Sequence, residues 1–102
     1  MDTEITIADS RAQSRYEARN AAGHLMGFVN YRLTDTTIAF LHAETFPDYR
    51  GQGVASKIAT KSLDDARHAG LKVKPACPYY QQFVAEHDEY SDLVSANGPD
   101  SL

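Results

Sequence analysis

The sequence predicts an α/β (α+β) domain: a mixed, largely antiparallel sheet of about five strands carrying two main helices. The first half of the chain is a succession of strand-like runs joined by short polar turns, which implies an antiparallel meander. A glycine-rich turn, Tyr49-Arg50-Gly51-Gln52-Gly53-Val54-Ala55-Ser56-Lys57, then separates strand-like from helix-like sequence. Beyond it, apolar residues recur at helical spacing and are interrupted once by a short strand-like run.

Residues 3–8 alternate polar and apolar side chains with Ile5 and Ile7 inward, and this strand ends near Asp9 and Ser10. Residues 14–18 alternate again, with Tyr16 and Ala18 on one face, and Asn20-Ala21-Ala22-Gly23 supplies a hairpin turn. From His24 to Tyr31, Leu25, Gly27, Val29 and Tyr31 share one face and Met26 and Phe28 the other. A strand apolar on both sides belongs at the centre of the sheet. Thr34-Asp35-Thr36 turns the chain into a fourth strand, residues 37–45, which is β-branched and aromatic and ends at Phe46-Pro47. About seven residues separate the first two strands.

After the glycine turn, Ala55, Ile58, Ala59, Ser62, Leu63 and Ala66 fall on one side of a helix, with Lys57, Lys61, Asp64 and His68 on the other. The small residues allow close packing on a sheet, and Gly70 is placed to end the helix in a left-handed cap. Residues 71–74 form a short fifth strand, reached by a right-handed crossover. Pro78 opens a second helix along which Tyr79, Tyr80, Phe83, Val84 and His87 recur. Asp88 is positioned to cap a last turn carrying Tyr90, Leu93 and Val94. One domain therefore spans residues 1–94, and residues 95–102, which lack periodicity, are expected to form a flexible tail.

A chain of 102 residues has room for a single core. Its net charge of −4 and pI near 5.4 argue against a broad nucleic-acid surface and favour cationic partners. The single Cys77 cannot form an intramolecular disulfide, and the start of the chain does not resemble a charged-then-apolar leader. A cytoplasmic location is the expectation. No apolar run approaches the roughly 20 residues of a membrane helix. His24 and His68 lie far from each other and from any Cys or acidic cluster, so no metal is expected.

In the glycine turn, small residues let the backbone approach a ligand while unpaired amides and the helix dipole favour an anion. A tight turn alone would also explain Gly51 and Gly53. The third glycine and acidic residue of a dinucleotide fingerprint are missing, as is the Gly-Lys-Ser/Thr ending of a nucleotide P-loop. The pattern Arg50-x-x-Gly53-x-Ala55 between strand and helix resembles the pyrophosphate signature of the GNAT superfamily of acyl-CoA N-acyltransferases. More narrowly, the chain is similar to small single-domain GNAT-like proteins in His42-x-Glu44-x-x-x-x-x-Arg50-Gly51-x-Gly53, Pro75-x-Cys77-x-Tyr79 and His87-x-x-Tyr90.

This resemblance implies a GNAT-like fold and acetyl-CoA as cofactor. Backbone amides of Gln52, Gly53, Val54, Ala55, Ser56 and Lys57 would hold the pyrophosphate, with Arg50 and Gly51 shaping the loop. The pantetheine arm would bond to backbone near Thr45 and Phe46, where the fourth strand splays from the fifth. The short first connection leaves no room for the helical pair that walls the acceptor site in larger members, so the acceptor groove should be open.

The implied reaction moves an acetyl group to an amine on a protein, peptide or other exposed cationic acceptor. It needs a base, a group that polarises the thioester and an acid. His42 and Glu44 are the candidate bases, expected on the same face as Ile38 and Phe40, and both could equally be solvated polar residues at a strand end. Cys77, just before a helix N-terminus, is a candidate acid or nucleophile, or a small buried hydrophobe. Tyr80 is a second candidate acid, with core packing the alternative for it or for Tyr79. His87 stands about 15 Å along the helix from Cys77 at 1.5 Å per residue, too far for a direct pair. The alternative function is an acyl-CoA-binding interaction module with little or no turnover. A third possibility keeps the fold and has no cofactor.

Overall fold

The computed structural model describes residues 4–94; the expected tail, residues 95–102, lies outside the described residues. Strands β1 (Ile5–Ser10), β2 (Arg15–Asn20), β3 (Leu25–Leu33) and β4 (Thr37–Thr45) form an antiparallel meander, and β5 (Lys72–Pro75) adds in parallel beside β4. Helix α1 (Val54–Ala69) makes the crossover between β4 and β5, and α2 (Pro78–Glu86) follows β5. The connection between β1 and β2 is shorter than expected, a single 3-10 turn (Arg11–Gln13) closed by Ser14 in a left-handed conformation, φ 53°. Asp88 begins the last 3-10 turn, Asp88–Leu93, and does not cap it. No helix among the described residues is long and apolar enough to cross a membrane.

The buried face of α1 is Val54, Ile58, Ala59, Ser62, Leu63 and Ala66. These small side chains let the helix lie close on the sheet, and Gly27 in β3 takes that closeness to its limit. A Cβ at Gly27 would stand 2.5 Å from the Glu44 carbonyl oxygen and 3.3 Å from Cγ1 of Val54. At its other end α1 stops at Gly70, φ 74°, whose amide bonds back to the last turn.

Phenol-to-carboxylate hydrogen bonds tie the layers together. Tyr16 donates from β2 to Asp65 of α1 at 2.9 Å, Tyr90 donates to Asp64 at 2.9 Å, and Tyr31 donates across the sheet to Asp9 at 2.6 Å. Burial, reinforced by the carboxylate that each phenol faces, raises all three tyrosine pKa values, those of Tyr31 and Tyr90 to about 12.

One irregularity decides which way the end of β4 faces. The β3–β4 register passes from Tyr31↔Phe40 to Asn30↔His42, leaving Leu41 as an extra residue. A bulge of one residue reverses the alternation beyond it. Phe40 stacks on Tyr80 of α2, whereas His42 and Glu44 share the opposite face with Phe28. The expectation that His42 and Glu44 lie on the face of Ile38 and Phe40 is thus corrected.

Gly27→Ala should destabilise the fold by about 1–3 kcal/mol, the range for overpacking against atoms that cannot yield; urea denaturation measures it. Because an unfolded tyrosine ionises near pH 10 while Tyr31 and Tyr90 hold their protons to about 12, the folded chain binds more protons in that window. Stability should therefore be full below about pH 10 and fall as the pH rises toward 12, with a shallower fall in Tyr31→Phe, as read by urea midpoints across that range.

Candidate cofactor and catalytic site

The chain leaves β4 through a 3-10 turn, Pro47–Tyr49, and enters α1 through Gly51 (φ 84°) and Gly53 (φ 77°). Both conformations favour glycine, and Gly53 caps α1 without any side-chain hydrogen bond. The Lys57 amide is the first to close a helical bond, donating to the Gly53 carbonyl at 3.0 Å. Among the described residues, the amides of Gly51 through Ser56 donate to no protein acceptor. No acidic side chain occupies the first turn of α1 to compete for them. An unopposed helix N-terminus of this kind carries partial positive charge.

Thr45, Arg50, Gly51, Gly53, Val54, Ala55 and Ser56 line one open depression, so most of the residues expected at the cofactor come together. Others separate from it. Gln52 lines a neighbouring depression with Tyr49 and Met26. The Lys57 amide is consumed inside the helix, which removes it from the set of free donors. The Phe46 amide is likewise spent, donating to the Met26 carbonyl at 2.9 Å, and its carbonyl accepts from Tyr49 at 2.9 Å. Its ring packs edge-on against Phe28 at 6.0 Å.

The strand edge beside this depression is open. Among the described residues, β4 pairs with β5 through Thr37–Phe40 alone, and the Cys77 amide closes the seam by donating to the Phe40 carbonyl at 2.8 Å. Past that point β4 continues to Thr45 without a partner on this side among the described residues. Since Phe46 bonds toward β3, alternation turns the main-chain groups of Ala43 and Thr45 toward the gap.

The candidate catalytic residues divide by burial. His42 and Glu44 are exposed at 62% and 46% of their side chains, with His42 Nε2 3.4 Å from Glu44 Oε1. Cys77 is buried and packs within the hydrophobic core, with its amide in the β4–β5 seam and its carbonyl accepting from Gln81. Tyr80 is fully buried, stacked on Phe40 with ring centroids 4.4 Å apart and sharing a hydrogen bond with Ser62 Oγ at 2.7 Å. Burial raises its pKa strongly. It too is a core residue, because α2 turns by a helical step per residue and its inward slot belongs to position 80. Tyr79, one residue earlier, lines the depression instead. Burial raises its pKa and the carboxylate of Glu86 adds to this, while the Ser56 side chain draws it back. Helical spacing alone admitted either tyrosine to the core; Phe40 and Ser62, distant in sequence, decide between them. His87 is stacked on Phe83 at 4.0 Å, apart from Cys77.

A family model described as GCN5-related N-acetyl-transferase matches residues 15–93. The chain belongs to that family. Its relatives include protein NATD1 of Mus musculus, 29% identical over 84 residues that cover 81% of this chain and 76% of the relative. Protein NATD1 of Homo sapiens is likewise 29% identical, with 74% of the relative covered. Among solved structures, a GCN5-like protein from Staphylococcus aureus superposes with a TM-score of 0.67 at 20% identity, covering 95% of this chain and 92% of its own. A ribosomal-protein-alanine N-acetyltransferase from Brucella melitensis gives a TM-score of 0.58 at 21% identity, over 86% of this chain and 64% of its own. The likeness to these structures is one of fold, the mixed α/β arrangement described above.

Proposed function

We propose that the chain binds acetyl-CoA at the glycine turn and transfers the acetyl group to an amine on a protein, peptide or other exposed cationic acceptor, in the cytoplasm. The observation that carries this reading is the run of unpartnered amides from Gly51 to Ser56 beside the free edge of β4. Donors converging at a helix N-terminus suit a pyrophosphate, and free main-chain groups at Ala43 and Thr45 suit the amides of an extended pantetheine arm.

Bound acetyl-CoA would supply an acyl carbon to which the amine nitrogen forms a new bond as the sulfur leaves with the electrons of the C–S bond. Gly51, Gln52, Gly53, Val54, Ala55 and Ser56 hold the anion through their amides, and Arg50 adds a fixed positive charge beside them. Glu44 takes the proton from the acceptor ammonium, directly or through water, and His42 at 3.4 Å orients it. Tyr79 keeps a phenolic proton at the edge of the depression, within the same recess as the glycine turn. The acidic balance of the chain, −4, supports a cationic acceptor.

Glu44→Gln should lower kcat/KM for a lysine-containing peptide by about 10²- to 10⁴-fold, the usual scale for a general base, while the acetyl-CoA Kd stays within about twofold. Gly53→Glu, which adds a carboxylate in the cradle, should abolish binding. Undiminished turnover in Glu44→Gln would remove that residue as the base; tight binding with no transfer to any amine would favour the interaction module instead.

A further inference from the structure

Helices α1 and α2 both pack on the sheet face that carries Tyr16, Val29 and Phe40. On the other face, a row of three side chains runs directly across the strands, Glu17 of β2 opposite Phe28 of β3 opposite Glu44 of β4. Glu17 is nearly buried at 7% exposure, and both of its carboxylate oxygens are taken, one by Arg15 at 2.8 Å and the other by Arg19 at 3.1 Å. Two guanidinium groups around one carboxylate leave a net positive charge at this end of the row.

The guanidinium groups are also not saturated. Arg15 uses Nε and Nη2 on Glu17, and Arg19 uses Nη2 on Glu17 and Nη1 on the Gly23 carbonyl. Arg15 Nη1 and Arg19 Nε have no acceptor among the described residues. The Arg15 guanidinium lies 4.8 Å over the Phe28 ring, and His42 flanks the same ring at 6.4 Å. The surface thus reads cation, aromatic floor, carboxylate, with its ends about 10 Å apart at two strand spacings. Its acidic end is Glu44, the base proposed above.

We propose that this strip selects the acceptor: a peptide whose reactive amine sits at Glu44 and which carries an acidic side chain two or three residues away, bound by Arg15 and Arg19 across Phe28. The inference rests on the proposed transfer reaction and names its substrate class. An extended peptide advances about 3.3 Å per residue, so that offset spans the strip. The free guanidinium donors match a carboxylate in charge and in hydrogen-bonding type.

The test uses the full chain with acetyl-CoA and two peptides identical except for Glu or Gln at the third position from the amine. The acidic peptide should be acetylated with about tenfold higher kcat/KM, the difference appearing in KM. In Arg15→Gln/Arg19→Gln the acidic peptide should fall to the level of the neutral one. Arg19→Gln alone, which leaves Arg15 paired with Glu17, should lose part of the preference and serves if the double variant does not fold. Equal use of both peptides by the unaltered protein, or a preference that survives the substitutions, overturns the proposal. If neither peptide is acetylated although acetyl-CoA binds, the transfer reaction is what failed; the same pair is then titrated by NMR, where acid-dependent shifts of Phe28 and the Arg15 side chain support docking and their absence overturns it.

Discussion

The close approach at Gly27 is the constraint on which the rest of the molecule depends. With only hydrogen at that position, the main chain of β4 at Glu44 and the first turn of α1 at Val54 meet over β3. That contact brings two kinds of unsatisfied backbone together: the free edge of β4 near Thr45 and the unpartnered amides from Gly51 to Ser56. Neither feature alone would form a cradle. Any side chain at position 27 must push one from the other, so the packing of the core and the geometry of the site are the same problem.

The two faces of the sheet divide the labour. The covered face is pinned by Tyr16 to Asp65, and Tyr90 fastens the last turn to Asp64, so α1 cannot slide relative to the strands that hold its N-terminus. The bulge at Leu41 then reverses the end of β4 and delivers Glu44 and His42 to the uncovered face, a few residues from the glycine turn. Because β5 stops pairing at Phe40, the strand that presents Glu44 on one side keeps a free edge on the other.

Features governed by local chemistry were legible in the sequence. Alternation and turn residues foretold the antiparallel meander, Gly70 the end of α1, and the spacing of Arg50, Gly53 and Ala55 the turn whose side chains and backbone line a single depression. Features governed by long-range register were not. The residue that forms the bulge, Leu41, has no local mark, so the face of His42 and Glu44 came out reversed. Whether Tyr79 or Tyr80 enters the core depends on Phe40 and Ser62, and whether Phe46 has a free amide depends on the Met26 carbonyl. Cys77 stands before a helix, where a thiol is activated if solvent reaches it, but the seam between β4 and β5 closes over that position.

The central claim is that the unpartnered amides of the glycine turn hold the cofactor. A ¹⁵N-resolved NMR titration with acetyl-CoA tests it most directly. The account predicts saturable shifts concentrated at the amides of Gly51 to Ser56 and at Thr45, with Phe46 and Lys57, whose amides are already bonded, moving less. Shifts centred elsewhere on the chain, or none up to about millimolar acetyl-CoA, where even a weak site of about −4 kcal/mol would fill, would contradict it.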